Sequence, residues 1–135
     1  MKQWCLAMWL LLPALAVAEP VVVIAGNSPI QSLTGDEVRQ LFTGQARQVA
    51  GHSLTPLDLG GGNPLHERFY SVLMGKSASQ MRSYWARMIF TGRGMPPRQL
   101  SGVREMQLLV GSNRRYIGYL DAEQVTARLK VVFRP

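Results

Sequence analysis

The chain reads as an α/β protein, a single three-layer domain in which a mostly parallel sheet of about four to five strands is flanked by helices. Three observations predict it. Short β-branched runs alternate with longer stretches whose apolar residues recur at helical spacing. Capping residues and glycine stops punctuate the helical stretches. No internal repeat, low-complexity tract or linker divides the 135 residues. Alternation of this kind puts helices over a sheet of mostly parallel strands.

Residues 1–18, MKQWCLAMWLLLPALAVA, combine a basic start at Lys2, an apolar run, and small residues Ala16 and Ala18 before Glu19. This is the pattern of a cleavable secretory signal peptide. The run is shorter than the roughly 20 residues needed to span a bilayer. No second apolar segment follows, so a periplasmic domain over 19–135 is expected, with no integral membrane segment once the leader is removed. The one cysteine, Cys5, lies in the leader, and the domain must hold without disulfides. Its length suits one core rather than two.

Val21 to Ala25, VVVIA, is a buried strand closed by Gly26 and Asn27. Thr34 stands three residues before Glu37 in a capping-box spacing, and Val38, Leu41 and Phe42 then mark a short helix stopped at Gly44. In Ser53 to Leu59, SLTPLDL, apolar and polar residues alternate, and Pro56 argues for a strand near an edge. A helix over about Pro64 to Met74 carries Leu65, Phe69, Val72 and Leu73 on one stripe and ends at Gly75. Ser77 and Gln80 form a second capping-box pattern ahead of Met81, Tyr84, Trp85, Met88 and Ile89, a stripe that fits core packing, with a binding surface as the alternative. Gly92 to Pro97 is a loop, because neither Pro96 nor Pro97 continues a helix. Ser101 caps a further helix that turns Val103, Met106 and Val110 inward and ends at Gly111. Arg115 to Leu120 and Leu129 to Phe133 are two more strands, separated by a short helix or loop.

The formal charge is +7, or +6 without Lys2. Such a surplus favours phosphate-like ligands, anionic head groups or nucleic acid, and export makes nucleic acid the least favoured, so no nucleic-acid partner is expected. A basic surface without a ligand is the alternative. Two histidines, His52 and His66, stand on separate elements with no serine elbow or cysteine nucleophile beside them, so the chain is not expected to be an enzyme. The same pair lacks the three or four ligands of a metal centre, and each reads as a surface or capping residue. Neither a P-loop nor a dinucleotide fingerprint follows a strand, and no cofactor is expected.

Four stretches carry a resemblance: SLTGDEVRQLFTGQ (Ser32 to Gln45), SLTPLDL (Ser53 to Leu59), ERFYSVLMGKSASQMRSYWARMIFTGRGMPP (Glu67 to Pro97) and RRYIGYLDAEQV (Arg114 to Val125). Together they resemble the short PstS-like proteins, related to the phosphate-binding component of ABC importers. The match is strongest at Leu41-Phe42-x-Gly44, Tyr84-Trp85, Phe90-Thr91-Gly92 and Ile117-Gly118-Tyr119. The resemblance implies one lobe of a type II periplasmic binding fold, whose full-length members have two lobes that close over the ligand. In those proteins an Arg and a Ser-Gly-Thr run at a helix start hold the phosphate. Anchored on Phe69, these positions fall near Leu59 and on Asn63, Pro64 and Leu65, none of which keeps the family's residue.

Asp58 to Tyr70, DLGGGNPLHERFY, remains the candidate site. One reading is an anion site built from the amides of Gly60, Gly61 and Gly62, the Asn63 side chain, and His66 or Arg68 on the first helical turn. The other is structural, with Asn63 as N-cap, Pro64 at N1 and the glycines only turning the chain. Two functions follow: an exported solute-binding module for phosphate or another small oxyanion serving an ABC importer, or a non-catalytic accessory or sensor module that docks an envelope protein or itself.

Overall fold

The structure is a computed structural model that describes residues 18–135; apart from Ala18, the expected leader lies outside this range. In chain order the elements are β1 (Pro20–Ala25), α1 (Gly35–Phe42), β2 (Gln48–Val49), β3 (His52–Ser53), β4 (Thr55–Leu59), α2 (Pro64–Met74), α3 (Ala78–Phe90), β5 (Arg98–Leu100), α4 (Val103–Ser112), β6 (Tyr116–Asp121), a 3-10 turn (Ala122–Gln124) and β7 (Leu129–Phe133). Five strands form one sheet in the order β5-β4-β6-β1-β7, and β2 and β3 pair as a separate ribbon. Strand β4 runs parallel to both β5 and β6, while β1 runs antiparallel to its neighbours β6 and β7. Four of the five strands therefore share one direction, and β1 alone runs against them.

The three-layer arrangement follows from the alternation of side chains along β6. Gly118 faces α4, where a Cβ would collide with the Met106 sulfur and meet Val110 at 3.3 Å. Tyr119 faces the other way, towards Phe42 of α1 and Phe69 of α2. The strands are covered on both sides, so β1 is a continuous apolar run rather than an alternating one, with all six residues buried.

Caps set the helix starts as the spacing predicts. Thr34 and Ser77 each close a complete capping box, with Glu37 and Gln80 as the reciprocal partners. Asn63 caps α2 and Pro64 takes the first helical position, and Gly75 ends the helix at φ 62°.

One strand is added to those expected, and two expectations need correction. Strand β4 lies near an edge as expected, with only the unanticipated three-residue β5 outside it; β5 pairs with Leu57 to Leu59, so Pro56 precedes that stretch and costs no bond to β5. Ser101 does not cap α4. Gly102 holds that place, and Ser101 instead donates from its N–H and hydroxyl to Glu105, while the helix runs through Gly111 to Ser112. The stripe on α3 is only partly core: Met81 is buried, Tyr84, Trp85 and Met88 are half-buried, and Ile89 is 48% exposed.

The close approach at Gly118 yields a test of the packing. Gly118→Val should force Met106 aside inside a filled layer and destabilise the domain by about 2 kcal/mol, read as a lower urea midpoint at unchanged slope.

Candidate functional site

Among the described residues, one carboxylate is buried. Asp58 keeps 4% of its exposure and lies near the C-terminal end of β4, between two fully buried leucines. The parallel register that sets Thr55 beside Tyr116 and Pro56 beside Ile117 places Asp58 level with Tyr119 when carried along both strands. The Tyr119 hydroxyl donates to Asp58 Oδ1 and accepts the Leu59 N–H at 3.4 Å. The Tyr70 hydroxyl donates to Asp58 Oδ2 at 2.6 Å from one helical turn beyond His66. His66 Nδ1 lies 3.0 Å from Asp58 Oδ1 and 2.9 Å from the Leu59 carbonyl. A carbonyl only accepts, so Nδ1 carries the proton and Nε2 is the ring nitrogen left for other partners.

These bonds and the site's burial explain its titration. Hydrogen bonding to Asp58 holds the His66 pKa above its ordinary 6.5 against the opposing effect of burial, helped by the carboxylate's charge and the Leu59 carbonyl. Burial pushes Tyr70 and Tyr119 up, reinforced by the nearby carboxylate, and both hydroxyls remain protonated donors. Apolar packing carries the same side chains: the Tyr119 ring stacks on Phe69 at 3.8 Å between centroids, and Phe69 meets Phe42 edge-on at 5.0 Å.

The predicted loop sits directly above this cluster. Asn63 donates its N–H to the Gly60 carbonyl at 2.9 Å, closing a turn whose middle residues Gly61 and Gly62 are exposed. Asn63 Oδ1 accepts the Leu65 N–H at 2.9 Å and the Asn63 carbonyl accepts the His66 N–H at 3.0 Å. With Pro64 lacking an N–H, the first donors of α2 are spent within the loop. The amides of Gly61 and Gly62 are left out of these bonds.

A cleft of about 490 Å³ opens beside the loop, lined on the α2 side by Gly61, His66, Glu67 and Tyr70 and on the α3 side by Met81, Arg82, Trp85 and Ile89, with Asp58 at its base. Of the six sequence-predicted residues, Gly61 and His66 reach this cleft. Gly60 and Asn63 close the turn, Gly62 is exposed within it, and Arg68 is exposed outside the cleft lining. His66 is neither a surface nor a capping residue, because its ring is committed to a buried carboxylate; His52 is exposed on β3. Sequence reasoning passed over Asp58, Tyr70, Tyr119 and Arg82. The one signal for Asp58 was an ionisable residue inside the apolar run of SLTPLDL. Among the described residues no cluster of His, Cys, Asp and Glu could hold a metal ion, and no helix is long and apolar enough to cross a membrane.

The arrangement of strands and layers defines the fold: it is that of one lobe of a phosphate ABC transporter substrate-binding protein. An ABC-type phosphate transport receptor from Vibrio cholerae superposes with a TM-score of 0.66 at 15% identity, over 85% of this chain and 45% of that one. A putative phosphate ABC transporter substrate-binding protein from Clostridium perfringens, with bound phosphate, gives 0.67 at 16% identity, over 85% and 44%. A possible phosphate binding protein from Planctomyces limnophilus gives 0.58 at 13% identity, over 85% and 40%. The chain thus spans less than half the length of each. No protein-family model matches it, and no curated protein does.

Two outcomes test the cluster. Tyr70→Phe leaves Asp58 Oδ2 without its buried donor and should cost about 1–3 kcal/mol in denaturant unfolding. His66 is stabilised in its protonated form, so its contribution is complete below its ordinary value of 6.5 and is lost as pH rises through the raised folded value. Stability measured from about pH 5 to about pH 9 should fall across that window in the native protein and stay flatter in His66→Asn.

Proposed function

We propose that the protein is an exported, single-lobe solute-binding module that takes up phosphate or another small tetrahedral oxyanion, in connection with an ABC importer. One juxtaposition carries the reading: beyond the C-terminal end of parallel strand β4, Gly61 of the Gly60–Asn63 turn and His66, its Nδ1 held by Asp58 and Leu59, line one cleft. Ligands of open α/β folds bind outside the carboxyl ends of the strands. His66, Arg82 and the turn amides would supply donors, with Arg68 contributing at longer range. The fold likeness to phosphate-binding neighbours supports an oxyanion as ligand.

A single lobe leaves the anion on a wet face, where attraction between charges is screened. Dissociation constants in the upper micromolar to millimolar range are therefore expected. Calorimetric titration of the protein with sulfate and with phosphate at low salt tests this. Saturable binding, weakened about fivefold or more by His66→Ala and stronger at about pH 6 than at about pH 8, supports the module; sulfate is the cleaner probe because its charge does not change over that range. Silence up to millimolar of either anion rejects it.

The second reading, an accessory or sensor module that docks an envelope partner or itself, is favoured by a different observation. The first N–H groups of α2 are already bonded inside the loop, and Glu67 puts a carboxylate on the cleft wall.

A further inference from the structure

The end of α3 and the loop after it hold the largest apolar side chains that the domain leaves uncovered near one another in sequence. Phe90 is 92% exposed, Met95 72% and Ile89 48%. Backbone hydrogen bonds shape this segment. Gly92, at φ 68°, returns its N–H to the Ile89 carbonyl at 3.1 Å, and the Arg93 N–H reaches the Met88 carbonyl at 2.9 Å, so the chain folds back on the last turn of α3. A Cβ at Gly94 would lie 3.4 Å from Met88 Cε, in contact with the same turn. The result is a tip of ordered backbone with Phe90 projecting outward.

Charge gives the second observation. From Arg68 to Arg104 the chain contains Arg and Lys but no Asp or Glu. Arg82, Arg87 and Arg93 are exposed and have no ion-pair partner among the described residues, whereas Arg98 is paired with Glu105 at 3.6 Å. Arg87 lies one helical turn before Phe90, on the same side of α3. A second copy docked face to face would set like charges against each other, so the charge selects an anionic occupant over self-association. A projecting phenylalanine and methionine flanked by arginines suit a deformable surface, which needs no pre-shaped pocket to receive them.

We propose that this tip docks on an anionic lipid surface, with Phe90 and Met95 entering the boundary between head groups and acyl chains while Arg87 and Arg93 face lipid phosphates. Apolar insertion and electrostatic attraction each give weak binding to a bilayer, and together they give measurable affinity. Phe90, Met95, Arg87 and Arg93 lie outside the lining of the cleft at His66, so their docking stands or falls independently of oxyanion capture.

Residues 19–135 carry every strand and core residue described above, so the chain without its leader is the species to test, with far-UV circular dichroism confirming that each variant is folded. Sedimentation with vesicles of phosphatidylcholine containing roughly one third phosphatidylglycerol should recover the protein at low salt, and pure phosphatidylcholine vesicles should not. The double variant Phe90→Ser, Met95→Ser and the double variant Arg87→Gln, Arg93→Gln should each lower the apparent affinity about tenfold. Emission of the Phe90→Trp variant should shift to the blue on adding anionic vesicles. The proposal is overturned by absence of co-sedimentation with anionic vesicles at low salt, by binding that ignores Phe90→Ser, Met95→Ser, or by capture of an acidic, phenylalanine-containing peptide where vesicles capture nothing.

Discussion

Burying a carboxylate is costly unless donors replace the water it loses, and in this domain the donors that do so for Asp58 also hold the layers together. Tyr119 comes from the neighbouring strand, and Tyr70 and His66 from the helix above. Each bond ties a different part of the fold to the end of β4. The rings that bring the hydroxyls are core residues in their own right, since Tyr119 stacks on Phe69 and Phe69 abuts Tyr70 and Phe42. Polar satisfaction and apolar packing are thus performed by the same side chains. Moving α2 by even an ångström would both strand the carboxylate and open a gap beneath α1. The Gly60–Asn63 turn inherits this rigidity, because it is short and is anchored by Leu59 on one side and the cap of α2 on the other.

Local signals made most of the fold legible. Capping boxes at Thr34 and Ser77, the Asn63-Pro64 start and the glycine stop at Gly75 depend on residues a few positions apart, and the structure keeps them, whereas α4 runs past the stop expected at Gly111. What escaped depended on partners distant in sequence. Strand β5 is three residues long and pairs with β4 across two intervening helices, so nothing within Arg98–Leu100 announces it. The β2–β3 ribbon turns at Ala50 and Gly51, both at positive φ, and Ala is a poor signal for such a turn. At the candidate site the Asn63 cap was legible for the same local reason, while the link of Asp58 to Tyr119 spans 61 residues and requires the strand register. His66 looked like a surface residue because its partner lies eight positions away on another element.

The α3 stripe was read as core because amphipathic periodicity indicates which face is apolar and not what covers it. In the structure that face is shared unequally. Tyr84 donates its hydroxyl to the Thr43 carbonyl at 2.6 Å, and the Trp85 ring approaches Gly44. These contacts fasten the middle of α3 to the end of α1, and the last turn runs beyond them into solvent.

The placement of charge separates two kinds of anion contact. Inside the cleft the charge of a protonated His66 would be largely compensated by Asp58, and Glu67 adds a further negative charge nearby, so the local field there is weak and Nε2 would then act chiefly as a hydrogen-bond donor. The exposed arginines along α3 and its loop have no such compensation, and charges at a surface act over roughly a Debye length rather than a bond length. Long-range attraction of an anion would therefore come from the arginine face, whereas directional hydrogen bonding would come from the β4–α2 end, where the backbone and His66 are held in place. A small oxyanion held at that end would need several well-aimed hydrogen bonds to compete with water. An extended anionic surface can exploit the arginine face without any one of them.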